Sequence, residues 1–255
     1  LSTHELGHNL TLAHANSRAF GAEPLGALGT AGSMTEYGDS FSTMGSWNLG
    51  FYAAPQAANQ LGWLSQVANY TTVESAGTYT IQNFEARPAG VKALKVRRGT
   101  GHNSWLWLES RQPVNAYSSS LYSAAHSGAL IHYEDSFTSS DSHLLDFNAN
   151  TSGNFVDAPL QVGRTWSDPY SNLSLTVNSV STTGMTVTVN YGAKTCIPSE
   201  PTVTLSPTAA SAEQGKATQL KLDELIRAMA DARNQFVALD HAAEEVLEAH
   251  EREFR

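Results

Sequence analysis

Between residues 72 and 192 the chain alternates apolar and polar residues in short runs, and this period of two is the strongest constraint on its fold. Turn residues separate the runs, which are enriched in Val, Thr, Tyr and Trp as half-buried strands are. The clearest runs are "GTYTIQNF", "VKALKVRR", "SWLWLESR", "GALIHYED", "LSLTVNSV" and "GMTVTVNYG". Their number and spacing predict a β-sandwich or barrel.

The sequence divides into four predicted segments. Residues 1–66 contain an amphipathic helix ending near Leu10, a Gly-, Ala- and Ser-rich loop region and a helix from Pro55 to Leu61. Residues 67–195 form the predicted β-sandwich, and prolines make residues 196–212 a linker. Residues 213–255 carry 16 charged side chains, and their apolar residues recur every three or four positions. This pattern predicts an amphipathic helical tail that packs on a partner helix.

Charge and composition exclude several classes of protein. A net charge of -9 with only 15 Lys and Arg provides no basic stripe, so we expect no nucleic-acid partner. No apolar run is long enough for a transmembrane helix. The lone Cys196 cannot form an internal disulfide. Sparse charge before residue 212 and sequons at Asn69, Asn150 and Asn172 indicate a secreted protein.

The stretch "THELGHNLTLAHA" carries the predicted chemistry. His4 and His8 lie one helical turn apart on one face, which suits two imidazole ligands of a tetrahedral Zn²⁺. Glu5 is beside them, where a carboxylate can take a proton from a zinc-bound water and pass it to the leaving amine. His14 supplies a third ligand only if the helix stops near Leu10 and the chain turns back.

The residue at this turn is Thr11, where such motifs usually have a glycine. A β-branched residue at positive φ is a conformational outlier that costs about 1–3 kcal/mol. We therefore expect either a different backbone path or a strained turn. Glu23, Glu36 and Asp39 are alternative third ligands, but none has the spacing support of His14.

His4, Glu5, His8 and His14, followed by Met44 in "EYGDSFSTMGSW", resemble the metzincin zinc endopeptidases. The stretches "YGDSFSTMG" and "FYAAPQAANQLGWL" make the gametolysin-type metallopeptidases the most similar group. The resemblance implies three histidine zinc ligands, Glu5 as general base, a methionine floor beneath the metal, secretion, and protein or glycoprotein substrates. It also implies a preceding half of the catalytic domain. We therefore expect a fragment with exposed Leu6 and Leu10 and weak or absent activity.

Other side chains have less specific interpretations. His102, His126, His132 and His143 lack ligand spacing and are predicted to be structural or surface residues. Asp141 and Asp146 in "DSHLLD" lack the dense oxygen ligands of a calcium loop.

Trp105 and Trp107 project from the same face of a strand. They could form a sugar-stacking platform, although packing in the sandwich core is the favoured interpretation.

The tail stretch "QLKLDELIRAMADARN" resembles the tail of small bacterial low-affinity iron permease-like proteins. The change in composition near residue 212 indicates a chimaeric reading frame, an assembly artefact or an engineered fusion. The predicted fold is α+β: the lower half of a metzincin-like peptidase domain, an all-β sandwich and an amphipathic helical tail. The predicted function is a secreted zinc-dependent endopeptidase that uses Glu5. The alternative functions are a non-catalytic secreted module that binds glycan or cell surface and an interaction protein acting through its tail.

Overall fold

A computed structural model of the chain describes residues 2–46, 51–86, 90–100, 103–136, 138, 142–151 and 154–192. The predicted linker and helical tail, with Cys196, His102 and Asp141, lie outside the described residues. The described part is mostly β-sheet with few helices, which confirms the prediction of a β-rich fold. Its helical elements are helix α1 (Ser2–Asn9), a π-helical turn (Gln56–Gln60) and two 3₁₀ turns (Ser118–Ser120 and Ser123–Ser127).

Twelve strands are present in the described residues, and six of them coincide with the alternating runs of the sequence. They are β1 Ala15–Ala19, β2 Ser33–Thr35, β3 Tyr70–Val73, β4 Gly77–Gln82, β5 Ala93–Arg97, β6 Trp105–Glu109, β7 Gly128–Glu134, β8 Ser142–Leu144, β9 Leu160–Gln161, β10 Thr165–Ser167, β11 Leu173–Ser181 and β12 Gly184–Tyr191. The six predicted runs correspond to β4, β5, β6, β7, β11 and β12.

The strands form two sheets. The larger has eight strands, in the order β2-β1-β8-β7-β6-β5-β3, with β9 paired to β7 beside this path. The smaller has the order β10-β11-β12-β4, and all its pairs are antiparallel. The two sheets share one apolar core, which includes Leu106 and Leu108 of β6 and Val187 and Val189 of β12. This packing is that of a β-sandwich.

The large sheet is also covered on its opposite face. Trp107 alternates with Leu106 and Leu108, so it points away from the shared core. It is fully buried against residues in and beside the π-helical turn, including Ala54, Ala57 and Leu64. The expectation that Trp107 packs between the sheets is therefore wrong, because a second apolar layer covers the outer face. A stacking platform of Trp105 and Trp107 is excluded as well, since no sugar can reach Trp107.

Strands from both sides of the predicted boundary at residue 66 share the large sheet. Strand β1 runs parallel to β8, with Ala15 opposite Ser142, and antiparallel to β2. These two strands occupy part of the region expected to be irregular, because pairing with a distant strand stabilises a stretch whose own sequence favours no strand. The described residues between 2 and 192 belong to one compact unit. The division of the chain into four segments, with boundaries after residues 66, 195 and 212, stays a prediction.

Candidate metal centre

The turn after α1 ends the helix and redirects the chain. The Thr11 N–H donates to the His8 carbonyl at 2.9 Å, and the Leu12 N–H donates to the Gly7 carbonyl at 3.0 Å. These two bonds define a Schellman motif, in which Thr11 occupies the position that requires left-handed backbone. Its φ is 69°. The sequence left two alternatives open, a different backbone path or a strained turn, and the structure has the strained turn.

Each of the three histidines has its Nδ1 atom fixed by an oxygen acceptor. His4 Nδ1 lies 2.7 Å from the Thr43 carbonyl, and His8 Nδ1 lies 2.9 Å from the Leu12 carbonyl. His14 Nδ1 lies 2.7 Å from Glu36 Oε1. Because Nδ1 carries the ring proton in each neutral imidazole, the Nε2 atom is the one that can bind a cation.

His4, His8 and His14 converge. One ring nitrogen of each lies within 4.8 Å of the others, and the Nε2 atoms of His8 and His14 are 3.2 Å apart. Two imidazole nitrogens bound to one tetrahedral zinc at 2.0–2.1 Å are separated by about 3.3 Å. Two unprotonated Nε2 atoms at this distance repel each other unless a cation or an added proton lies between them. The donor set and the His8–His14 distance therefore fit Zn²⁺.

Met44 packs directly beneath α1. It is fully buried in a cluster with Leu12, Ala15 and Tyr52, and its carbonyl accepts the Ala15 N–H at 2.8 Å. A Cβ atom added to Gly7 would lie 2.2 Å from Met44 Sδ. Glycine lets the helix lie against the methionine here, because an added side chain would force the buried Met44 side chain or the helix to move.

Glu5 lies on α1 beside His4 and is exposed. Its side chain makes no hydrogen bond to another described residue, so its carboxylate is open to solvent. Leu6 and Leu10 are also exposed, at 53% and 38% of their surface.

The alternative third ligands lie elsewhere. Asp39 is buried and accepts a hydrogen bond from His132 Nε2 at 2.9 Å. Glu23 lines a separate pocket with Arg18 and Asp146. Glu36 contacts the outer nitrogen of His14, so it supports this histidine and does not replace it.

The other described histidines are structural, as predicted. His132 is fully buried against Asp39, whose Oδ1 also accepts the Phe41 N–H at 2.8 Å. Burial lowers the pKa of His132, but the hydrogen bond and charge of Asp39 outweigh it and raise this pKa overall. Burial lowers the pKa of His143 to about 4, with a contribution from Arg18. His126 bonds the Ser118 carbonyl at 3.0 Å.

Sequence reasoning missed several supporting groups. Tyr37 stacks on the centre, with its ring centroid 3.8 Å from that of His14 and 5.8 Å from that of His4. The backbone carbonyls of Thr43 and Leu12 have no sequence signal at all. Glu36 did have a sequence signal, since a carboxylate often accepts the second N–H of a metal-binding histidine.

Comparisons with known proteins give one match. Residues 207–255 match the family model for low affinity iron permease, which confirms the predicted likeness of the tail. This match lies outside the described residues and covers much less than half of the chain. Neither a curated protein nor a solved structure matches the sequence. In the described part of the chain, no helix is long and apolar enough to cross a membrane.

Proposed function

We propose that the chain carries the zinc centre of a secreted endopeptidase that hydrolyses protein or glycoprotein substrates. The observation that supports this most is the convergence of His4, His8 and His14, each with its Nδ1 atom already paired. His4, His8 and His14 would hold zinc through their Nε2 atoms, and the metal would supply a Lewis acid that lowers the pKa of a bound water to about 7. The methionine beneath the helix agrees with the metzincin resemblance and with assignment of residues 1–66 to the lower half of such a domain.

Glu5 is the general base of this proposal. Its exposed carboxylate follows His4 on α1, so one turn of helix holds the base next to two ligands. Glu5 accepts the proton of the attacking water and later delivers it to the leaving amine nitrogen. Glu36, Thr43 and Leu12 orient the imidazoles, and Tyr37 shields one side of His14.

The test uses the natural gene product that contains this sequence. We expect one zinc per chain, measured by mass spectrometry after purification without added zinc, and loss of the metal in His14→Ala. Glu5→Gln should keep the zinc and lose cleavage of labelled casein, whereas Glu74→Gln, which alters an exposed carboxylate on another part of the chain, should keep both. Unchanged cleavage by Glu5→Gln refutes its role. A protein that binds zinc but cleaves nothing refutes the peptidase.

A further inference from the structure

An open pocket of about 620 Å³ lies apart from the histidine cluster. Its lining includes Phe51, Asn83, Glu85, Val114, Asn115 and Tyr117, and none of the three histidines or Glu5 contributes to it. A volume of this size falls in the range of small-molecule sites, about 300–1,000 Å³.

One part of the lining is aromatic and apolar. Phe51, Val114 and Tyr117 keep 37%, 47% and 57% of their surface exposed. Large apolar side chains that stay exposed around a concavity are typical of binding sites, because they gain free energy only when a ligand covers them.

Asn83 is the polar group that points to a ligand. It is fully buried, and its Oδ1 atom accepts the Glu85 N–H at 3.3 Å. Its Nδ2 atom has no hydrogen-bond partner among the described residues. A buried donor without an acceptor is costly and rare in folded proteins. Asn83 thus brings to the wall of the pocket a buried donor without an acceptor among the described residues.

The remaining polar groups are held in place by a buried ion-pair network. Glu85 accepts hydrogen bonds from Arg111 at 3.2 Å and from Asn115 Nδ2 at 3.3 Å. Arg111 also binds Glu109 and the Tyr52 carbonyl, so its charge is already neutralised. Burial raises the pKa of Glu85 in spite of Arg111. No cationic side chain occurs among the described residues that line the pocket, which disfavours an anionic ligand.

We infer that this pocket binds a saccharide. A sugar ring offers an apolar C–H face that packs on an aromatic ring, and hydroxyl groups that both donate and accept at its edge. Tyr117 and Phe51 supply the aromatic surface and Asn83 Nδ2 the donor, while the fully buried Glu85 carboxyl stays in its network with Arg111 and Asn115. This inference needs neither zinc nor the proposed peptidase activity.

The pocket is nevertheless connected to the histidine cluster through the backbone. The Phe51 carbonyl accepts the Thr43 N–H at 3.2 Å, and the Thr43 carbonyl is the acceptor for His4 Nδ1. A glycoprotein that binds its sugar in the pocket would therefore be held near the cluster.

The test uses the full chain with a metal chelator present, so that a failure of the zinc proposal does not affect it. The probes are neutral mono- and disaccharides of glucose, mannose, galactose, arabinose and N-acetylglucosamine, followed by saturation-transfer NMR and by titration. We expect millimolar binding of at least one probe. Tyr117→Ala and Asn83→Asp should each weaken it about tenfold. Tyr170→Ala, which alters another exposed tyrosine outside the pocket, should leave it unchanged.

Three results overturn the inference. The first is that none of the saccharides binds at tens of millimolar. The second is that binding persists in both pocket variants, which places the sugar elsewhere. The third is that N-acetyltyrosinamide or another blocked amino acid binds in a Tyr117-dependent way while the saccharides do not, which makes the pocket a peptide site.

Discussion

Glu36 Oε1 lies 2.7 Å from Nδ1 of His14, and the two residues are 61% and 20% exposed at their side chains. A carboxylate in this position fixes the tautomer and the orientation of the imidazole. It therefore determines whether the third Nε2 atom faces the other two histidines.

We predict that Glu36→Ala weakens zinc binding about 10–100-fold without removing it, because His14 loses its fixed orientation and keeps its nitrogen. Competition with a zinc-responsive dye measures the change. Glu74→Ala is the matched control, since Glu74 is similarly exposed and pairs with Arg97. Equal affinity of wild type and Glu36→Ala would show that the pair has no role in metal binding.

The second prediction concerns the strained turn at Thr11. Thr11→Gly should raise the free energy of unfolding by about 1 kcal/mol, because glycine adopts a φ of 69° without steric cost. Thr11→Ala removes the β-branch but keeps a Cβ at positive φ, so it should gain much less. Urea denaturation of the three proteins compares them. A glycine variant less stable than the alanine variant contradicts the strain.

The third prediction concerns the close contact between Gly7 and Met44. Gly7→Ala should destabilise the protein by about 1–3 kcal/mol through overpacking, since the new methyl group would overlap Met44 Sδ. It should also weaken zinc binding, because α1 carries two ligands. Gly192→Ala is the control, as the nearest atom to its added Cβ is 3.9 Å away. Thermal unfolding with and without zinc separates the two effects, and a neutral Gly7→Ala would exclude the close contact.

The buried pair of His132 and Asp39 makes the stability depend on pH. The pKa of His132 is raised in the folded state, so the pair contributes its full stabilisation below about pH 6.5 and loses it as pH rises through the folded pKa. Asp39→Asn should therefore cost several kcal/mol in mild acid and progressively less above neutrality. Urea unfolding with a chelator present, across this pH range, measures the difference.

The pKa of His143 is lowered in the folded state, so His143 changes the stability with pH in the opposite direction to His132. For this reason the prediction compares wild type with Asp39→Asn. Its folded pKa of about 4 lies below its ordinary value, so the folded state loses stability as pH falls from about 6.5 towards 4. Both proteins contain His143, so its desolvation and its repulsion from Arg18 cancel in their difference, and only its smaller repulsion from charged His132 differs. A difference between wild type and Asp39→Asn that is constant with pH would show that His132 stays neutral in the pair.

The sequence predicted what depends on local periodicity. Alternation identified β4 to β7, β11 and β12, because successive side chains of a strand point to opposite faces of the sheet. Strands β6 and β7 are buried on both faces all the same. The H-E-x-x-H spacing predicted which side chains of α1 share a face. Proline and glycine bounded the segment from Pro55 to Leu61, although local pattern could not show that its central turn is π-helical.

What the sequence could not predict depends on residues far apart in the chain. Nothing near Asp39 indicates that it pairs with His132, and nothing near Thr43 shows that its carbonyl accepts from His4. The outer layer over Trp107 was missed for the same reason, because an alternating strand has the same pattern whichever of its two faces is covered. Strand β1 lacks strand propensity and forms because it lies between β2 and β8.

The parallel pairing of β1 with β8 bears on how the protein folds. His14 immediately precedes Ala15, which pairs with Ser142 much later in the chain. The imidazole of His14 therefore reaches its position only when β1 pairs with the distant strand β8. Closure of such long loops is slow compared with helix formation. We expect α1 to present its own two histidines early in refolding and high-affinity zinc capture to coincide with the last kinetic phase, which makes the metal a reporter of completed assembly and not a nucleus for it.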